Sequence, residues 1–152
     1  MNSNLQALQT YIPPELQKRR MRPSYYPLVT TAILAANASV TLSVSMQNVS
    51  AFLLTRITGK VYAAGSDAGV ADPPFTVEVK FTSQEDLTNG ATSWGSIVGT
   101  DASPSQSSGG ALEIPRLVPG GSSISVVLVN YSPAATSYFA RLTLGGPNIF
   151  ND

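Results

Sequence analysis

The sequence predicts an all-β protein, an eight-stranded antiparallel β-sandwich and in particular a jelly roll, with an extended N-terminal arm in front of it. Apolar and polar residues alternate in several short stretches, as they do in strands that bury one face. Clusters of Gly, Pro, Asn and Ser separate these stretches. Eight strands separated by turns fit two packed sheets, and a jelly roll has eight strands. An immunoglobulin-type sandwich stays open as the alternative, because strand count does not fix the connections.

We divide the chain into an arm, residues 1–26, and a sandwich domain, residues 27–152. In the arm, Leu5, Leu8 and Ile12 have near-helical spacing, and Pro13-Pro14 ends that turn. Pro14, followed by the basic run Lys18, Arg19, Arg20 and Arg22, favours a second short helix, which Pro23 ends. We expect this segment to leave the domain and dock on a neighbouring subunit; a frayed tail is the alternative.

After residue 26 the residue patterns are those of strands. Residues 28–34 are rich in β-branched side chains, and residues 39–46 place Val40, Leu42, Val44 and Met46 on one side. Residues 51–62 are apolar on both faces, with Gly59 as a bend or bulge. Residues 74–81 bury one face and expose a charged one. The expected strands are 28–34, 39–46, 51–62, 74–81, 93–98, 112–118, 123–131 and 137–145.

The second half of the chain contains the pair of strands around which we expect the sandwich to form. Residues 112–118 and 123–131 are joined by Pro119-Gly120-Gly121, which predicts a hairpin turn with Pro119 at its second position. The second of these strands is apolar on both sides, which is typical of a central strand. A short strand around Trp94 precedes them, and after the last strand Gly145-Gly146-Pro147 predicts another turn.

Charge is sparse and unevenly distributed along the 152 residues. Charged residues make up 12 % of the chain and the net charge is zero. Residues 1–60 carry a balance of +5, residues 61–113 a balance of −6, and the remainder +1. Such an asymmetry suits contact between copies, with the basic segment of one subunit on the acidic surface of the next. We favour a protein–protein role for the basic arm over nucleic-acid binding, for which four cations are thin support.

No residue pattern predicts catalysis, a metal site or a cofactor. The chain has no His and no Cys, which removes the commonest general base and zinc ligands and any disulfide. Glu85 and Asp86 are adjacent, so on an extended chain their side chains point apart. Asp67, Asp72 and Asp101 lie in loops without EF-hand spacing. The N-terminus lacks the features of a signal peptide, and no stretch is long and apolar enough to span a membrane. We therefore expect a protein that is not an enzyme.

Several stretches carry a family resemblance: FLLTRITG at 52–59, PPFTVEVKF at 73–81 with Trp94 after it, IPRLVPGGSSISVVLVNY at 114–131 and ARLTLGG at 140–146. In these the chain resembles auxiliary head proteins of tailed bacteriophages, the jelly-roll cement or decoration proteins on the outside of the capsid. The resemblance implies a virion protein, made in the host cytoplasm, that assembles as dimers or trimers over seams between capsid subunits. A collar, tail or fibre component, or a carbohydrate-binding sandwich using Trp94 with Tyr62, stays open.

We expect the contacts with the major capsid protein or other virion proteins to involve the arm and large aromatic side chains, because aromatic residues tend to dominate interface energies. The expected partner-binding residues are Leu5, Leu8, Arg19, Arg20, Arg22, Trp94 and Tyr138.

Overall fold

The computed structural model describes residues 11–66, 68–82, 84–100 and 111–150, and within them two sheets. The strands are β1 (Met21–Val29), β2 (Ser39–Ser45), β3 (Ser50–Ala63), β4 (Phe75–Phe81), β5 (Thr92–Ser93), β6 (Gly99–Thr100), β7 (Ala111–Val118), β8 (Ser123–Asn130) and β9 (Tyr138–Phe150). A single helical turn, α1, covers Trp94–Ile97.

Sheet 1 has the order β1-β9-β3, with β6 and β7 both pairing with β3; sheet 2 has the order β2-β8-β4-β5. Every pairing is antiparallel except the short one between β3 and β6. The predicted all-β, antiparallel sandwich is confirmed.

The long pairings are nested in sequence. The first strand pairs with the last, β2 with β8, and β3 with β7, while β4 pairs with β5. The chain therefore crosses between the sheets repeatedly instead of completing one sheet before the other.

The core lies between the two sheets, because alternate residues of each strand point inward. From sheet 2 the inward positions Val77, Val79, Ile124, Val126 and Leu128 are all fully buried. From sheet 1 the facing layer contains, among others, Phe52, Leu54, Ile57, Val61, Ala140, Leu142 and Leu144. These inward positions match the alternation predicted for strands β4 and β8.

A bulge in β3 changes which of its residues face the core. Phe52 and Leu54 point inward before it, whereas Ile57 and Val61 point inward after it. Between Phe52 and Arg56, β3 has one residue more than the paired stretch of β9. This extra residue reverses the alternation. The sequence suggested a bend or bulge at Gly59, whereas the bulge lies a few residues earlier in β3. Gly59 itself is paired, and a Cβ there would clash with the carbonyl oxygen of Arg141.

Two expected elements differ in the structure. The strand predicted at 93–98 is a helical turn, Trp94–Ile97, between two-residue strands. The hairpin predicted around Pro119 is a connection between sheets, because β7 pairs with β3 in sheet 1 and β8 pairs with β2 and β4 in sheet 2. Ser122 N donates to Pro119 O, so Pro119 is the first residue of this turn, and Gly121 takes the positive φ of 83°.

The extended arm is not confirmed for the part of it that the structure describes. Residues Met21–Val29 form the edge strand of sheet 1, in register with Ile149–Arg141 of β9. The boundary predicted at residue 26 therefore falls inside a strand. The first strand begins earlier than expected because Tyr26 and Leu28 alternate inward with the core.

Candidate interaction surface

The outer side of sheet 1 is a face built from three long strands in register. Successive residues of a strand point to opposite sides, so the residues between the core positions lie together on this outer side. In rows across β1, β9 and β3 they are Tyr25, Gly145 and Arg56; Pro27, Thr143 and Thr58; Val29, Arg141 and Lys60; and, on β9 and β3, Phe139 and Tyr62. We call this set the open face.

The edge strand gives the open face an exposed apolar line. Tyr25 is 70 % exposed and Val29 48 % exposed, with exposed Pro27 between them. The Tyr25 ring lies over Gly145, where an added Cβ would be 3.4 Å from two ring carbons. Large apolar side chains that line up on a rigid surface are typical of sites where other proteins bind.

The rest of the open face combines cations with aromatic rings. Tyr62 and Phe139 are stacked, with ring centroids 5.6 Å apart and planes inclined by 22°. Lys60 Nζ lies 5.4 Å from the centre of the Tyr62 ring. Arg56 and Arg141 supply further positive charge, and the open face as described contains no acidic residue. The exposed apolar and aromatic side chains of this face suit a partner that offers apolar groups.

The N-terminal segment covers one end of the same outer side. Ile12 is 3 % exposed and packs with Leu53 and Ile149 in a second small cluster, against which Leu16 and Met21 also pack. A turn holds the segment there: Leu16 N donates to Pro13 O at 2.9 Å, and Gln17 Nε2 donates to Ile12 O at 3.0 Å. The N-terminal segment thus covers this end of sheet 1, and the open face lies on the part of the outer side that the segment leaves uncovered.

The three predicted arginine contacts lie together at the start of β1, held on their own domain. The Arg20 guanidinium carbon lies 4.4 Å from the centre of the Phe150 ring, and Phe150 N donates to Arg20 O at 2.9 Å. Arg22 is exposed in β1 opposite Asn148, and Arg19 is partly exposed beside them. Leu5 and Leu8 lie outside the described residues.

The two predicted aromatic anchors come together in the core, through Phe75. The Phe75 ring lies 6.0 Å from the Trp94 ring and 6.1 Å from the Tyr138 ring, both edge-on. Trp94 is only 5 % exposed, so the anchor role expected for it needs correction: a partner cannot reach its ring without opening the fold. Tyr138 is half-buried and packs against the same core.

The sequence does not predict that Tyr25, Pro27 and Val29 form one exposed line, because the first predicted strand starts at residue 28 and leaves Tyr25 and Pro27 outside it. The signal was present in Tyr26 and Leu28, which alternate with Tyr25, Pro27 and Val29. Pro23 favours the end of a short helical segment in the arm, so the local pattern does not indicate a strand there.

The acidic residues in the described part of the chain do not converge. Glu78 pairs with its neighbour Lys80 at 3.5 Å on the outside of sheet 2. Glu85 and Asp86 are exposed, and the Arg116 guanidinium bonds the backbone carbonyl of Glu85. No group of three or more acidic residues could hold a metal ion among the residues described. Within the same residues, no helix has the length and apolar character to cross a membrane.

Comparison with known proteins gives no assignment: no protein-family model matches the chain, and no curated protein matches it significantly.

Proposed function

We propose that this chain is a structural virion protein of a tailed bacteriophage, which binds the outside of the capsid as a cement or decoration protein and bridges capsid subunits. The observation that carries the proposal is the open face, where Tyr25, Pro27 and Val29 form an exposed apolar line beside three cations. A sheet face of this kind is suited to binding another protein.

The strand order supports the same proposal. Nested antiparallel pairs, with β1 on β9, β2 on β8, β3 on β7 and β4 on β5, are what a jelly roll requires, and we assign that topology to this sandwich. An immunoglobulin-type sandwich does not nest its first strand on its last in this way. Viral capsid domains and lectins are among the proteins that use jelly rolls.

The mechanism would be linkage between binding and assembly. A protein that binds the assembled shell, and does not bind its free subunits, stabilises the assembly by mass action. Burial of Tyr25 and Val29 supplies apolar contact area for this binding. Because residues 11–29 are fixed on their own domain, this contact uses a preformed surface and orders little extra chain.

Two other roles use parts of the same surface. A collar, tail or fibre component would use the open face in few copies at one position on the particle. A carbohydrate-binding sandwich needs an exposed aromatic platform, and the expected pairing of Trp94 with Tyr62 does not supply one because Trp94 is buried. For a glycan the remaining candidates are Tyr25 and the stacked pair of Tyr62 and Phe139.

The proposal is tested by binding to particles of the phage that encodes the chain, after this protein has been stripped from them. The double variant Tyr25→Ser with Val29→Ser should lose most of its co-sedimentation with the particles. The control, Tyr131→Ser with Val49→Ser, removes a tyrosine that is 53 % exposed and a valine that is 57 % exposed, both outside the open face, and should bind as the wild type does. Equal binding by both double variants would overturn the open face as the attachment site.

A further inference from the structure

The exposed edge of β2 lacks the protection that the other edges of the two sheets carry. Sheet edges invite pairing with other chains, and proteins block them with prolines, charges, bulges or very short strands. The β1 edge has Pro23 and Pro27, β7 has Pro115 and Arg116, and β5 is two residues long. Strand β2, SVTLSVS, has seven residues with no proline, glycine or charge, and among the described residues it pairs on one side only, with β8.

The prolines of β1 are placed where they block pairing. Thr30 N donates to Ala140 O and Phe150 N donates to Arg20 O, so the even-numbered residues of this stretch bond β9. In an antiparallel pair the residues between them direct their amides away from the partner. Pro23 and Pro27 occupy such positions and remove those donors. This edge is closed to strand addition, whereas β2 has no equivalent.

The free backbone groups of β2 belong to its odd-numbered residues. Asn130 N donates to Ala38 O at 3.1 Å and Met46 N donates to Ser122 O at 2.8 Å, which places the even residues in bonds to β8. The amides and carbonyls of Ser39, Thr41, Ser43 and Ser45 therefore point to the open edge. All four residues are exposed.

The sequence of β2 is nearly the same in both directions. Positions at equal distance from Leu42 hold the same or a similar residue: Ser39 and Ser45, Val40 and Val44, and Thr41 and Ser43. A two-fold axis at Leu42 would set each odd-numbered residue against an odd-numbered residue of the second strand, so every outward donor would meet an outward acceptor. A surface that matches itself in this way is what a two-fold interface requires, and the absence of charge removes like-charge repulsion.

The inward side chains of β2 also favour a second copy. Val40, Leu42 and Val44 pack against the core but stay half-exposed, unlike the fully buried Ile124, Val126 and Leu128 of the neighbouring strand. The same three side chains from a second β2 would lie beside them and cover this remaining apolar area. Burial of apolar surface then adds to the backbone bonds.

We infer that a second copy of this chain pairs antiparallel along β2, with a two-fold axis at Leu42. The two copies of sheet 2 form one continuous sheet of eight strands, four from each copy. This inference does not depend on the virion role, and it uses the edge of sheet 2 and leaves the open face of sheet 1 free.

Single cysteines test both the pairing and its register, because the natural chain has none. In the inferred dimer, Leu42 faces Leu42 of the second copy as a non-hydrogen-bonded pair, whose Cα atoms are about 4.5 Å apart, within disulfide reach. Val44 instead faces Val40, and the two copies of residue 44 are separated by four residues along the strand, about 13 Å. Leu42→Cys is the test variant, and Val44→Cys is the matched control on the same strand, face and burial class.

The full chain should sediment at twice the mass of one copy in analytical ultracentrifugation. Under mild oxidation, Leu42→Cys should convert most of the protein to a disulfide-linked dimer, and Val44→Cys should stay largely uncrosslinked. Far-UV circular dichroism checks that both variants are folded. A monomeric wild-type chain would overturn the inference, as would a dimer in which Val44→Cys crosslinks as well as Leu42→Cys or better. Thr41→Pro, which removes one outward amide, provides a second check and should shift the folded protein to the monomer.

Discussion

Gly146 lies so close to Leu53 that the Leu53 carbonyl oxygen occupies the space of a Cβ on residue 146. This approach occurs at the bulge of β3, opposite β9. The bulge changes the side to which the later residues of β3 point, while Leu53 itself reaches the small cluster that holds the N-terminal segment. One glycine thus allows both the core alternation and the anchoring of residues 11–21.

The first prediction concerns that glycine. Gly146→Ala should lower the free energy of unfolding by about 1–3 kcal/mol, the usual cost of forcing an extra methyl group into a packed site. Gly95→Ala is the control, because a Cβ at residue 95 meets nothing within 4 Å. Urea denaturation of both variants measures the difference. Equal stability of the two would contradict the close approach.

The second prediction tests whether the N-terminal segment is docked. Ile12→Ala should cost about 2 kcal/mol, the lower end of the range for truncating a buried isoleucine, because Ile12 is buried against Leu53 and Ile149. An arm extended into solvent would lose nothing measurable. Val49→Ala, at a position that is 57 % exposed, is the control, and thermal denaturation of the two variants gives the comparison.

The third prediction uses the single tryptophan of the chain. Trp94 is 5 % exposed and packs edge-on against Phe75, so its fluorescence should be blue-shifted and resistant to acrylamide quenching in the native protein. Unfolding in urea should shift the emission to longer wavelength and make it easily quenched. Strong quenching under native conditions would show an exposed ring and restore the anchor role expected from the sequence.

The fourth prediction concerns Asn130, which is fully buried and whose side-chain amide is hydrogen-bonded through both its nitrogen and its oxygen. Its Nδ2 donates to Leu34 O and to Thr136 O, each at 2.9 Å, and its Oδ1 accepts from Ser132 N at 2.9 Å. Asn130→Ala removes these three bonds, although Leu34 O still accepts from Tyr138 N, and should cost about 3 kcal/mol, since each unsatisfied buried group costs about 1–3 kcal/mol.

The control for Asn130 is Asn89→Ala, which changes an exposed asparagine. Chemical denaturation should show little change for Asn89→Ala. A loss of similar size in both variants would mean that the buried amide is not a structural link between the end of β8 and the loops beside it.

The strands predicted to within one residue at each end are β2, β3, β4, β7 and β8, and the apolar pattern of each lies within its own residues. β2 and β8 begin where the alternation begins. Val40, Leu42 and Val44 on one strand and Ile124, Val126 and Leu128 on the other all face the core. These patterns are local, so the sequence alone determines them.

The strands that were missed depend on contacts distant in sequence. β1 contains two prolines, which are tolerated only because their nitrogens face away from β9, and no local pattern reveals that. β9 continues to Phe150 through Gly145-Gly146-Pro147, which the sequence predicted as a turn, because β1 and β3 pair with it on both sides. The open face was missed for the same reason, since it requires β1 to be part of sheet 1.

Quantitative mass spectrometry of purified phage particles tests the proposed role most directly. The cement role predicts that this chain is present in many copies, in a fixed ratio to the major capsid protein, and that the ratio is restored when stripped particles are reloaded. Absence from the particles, or a few copies consistent with one vertex or the tail, would contradict a capsid cement protein.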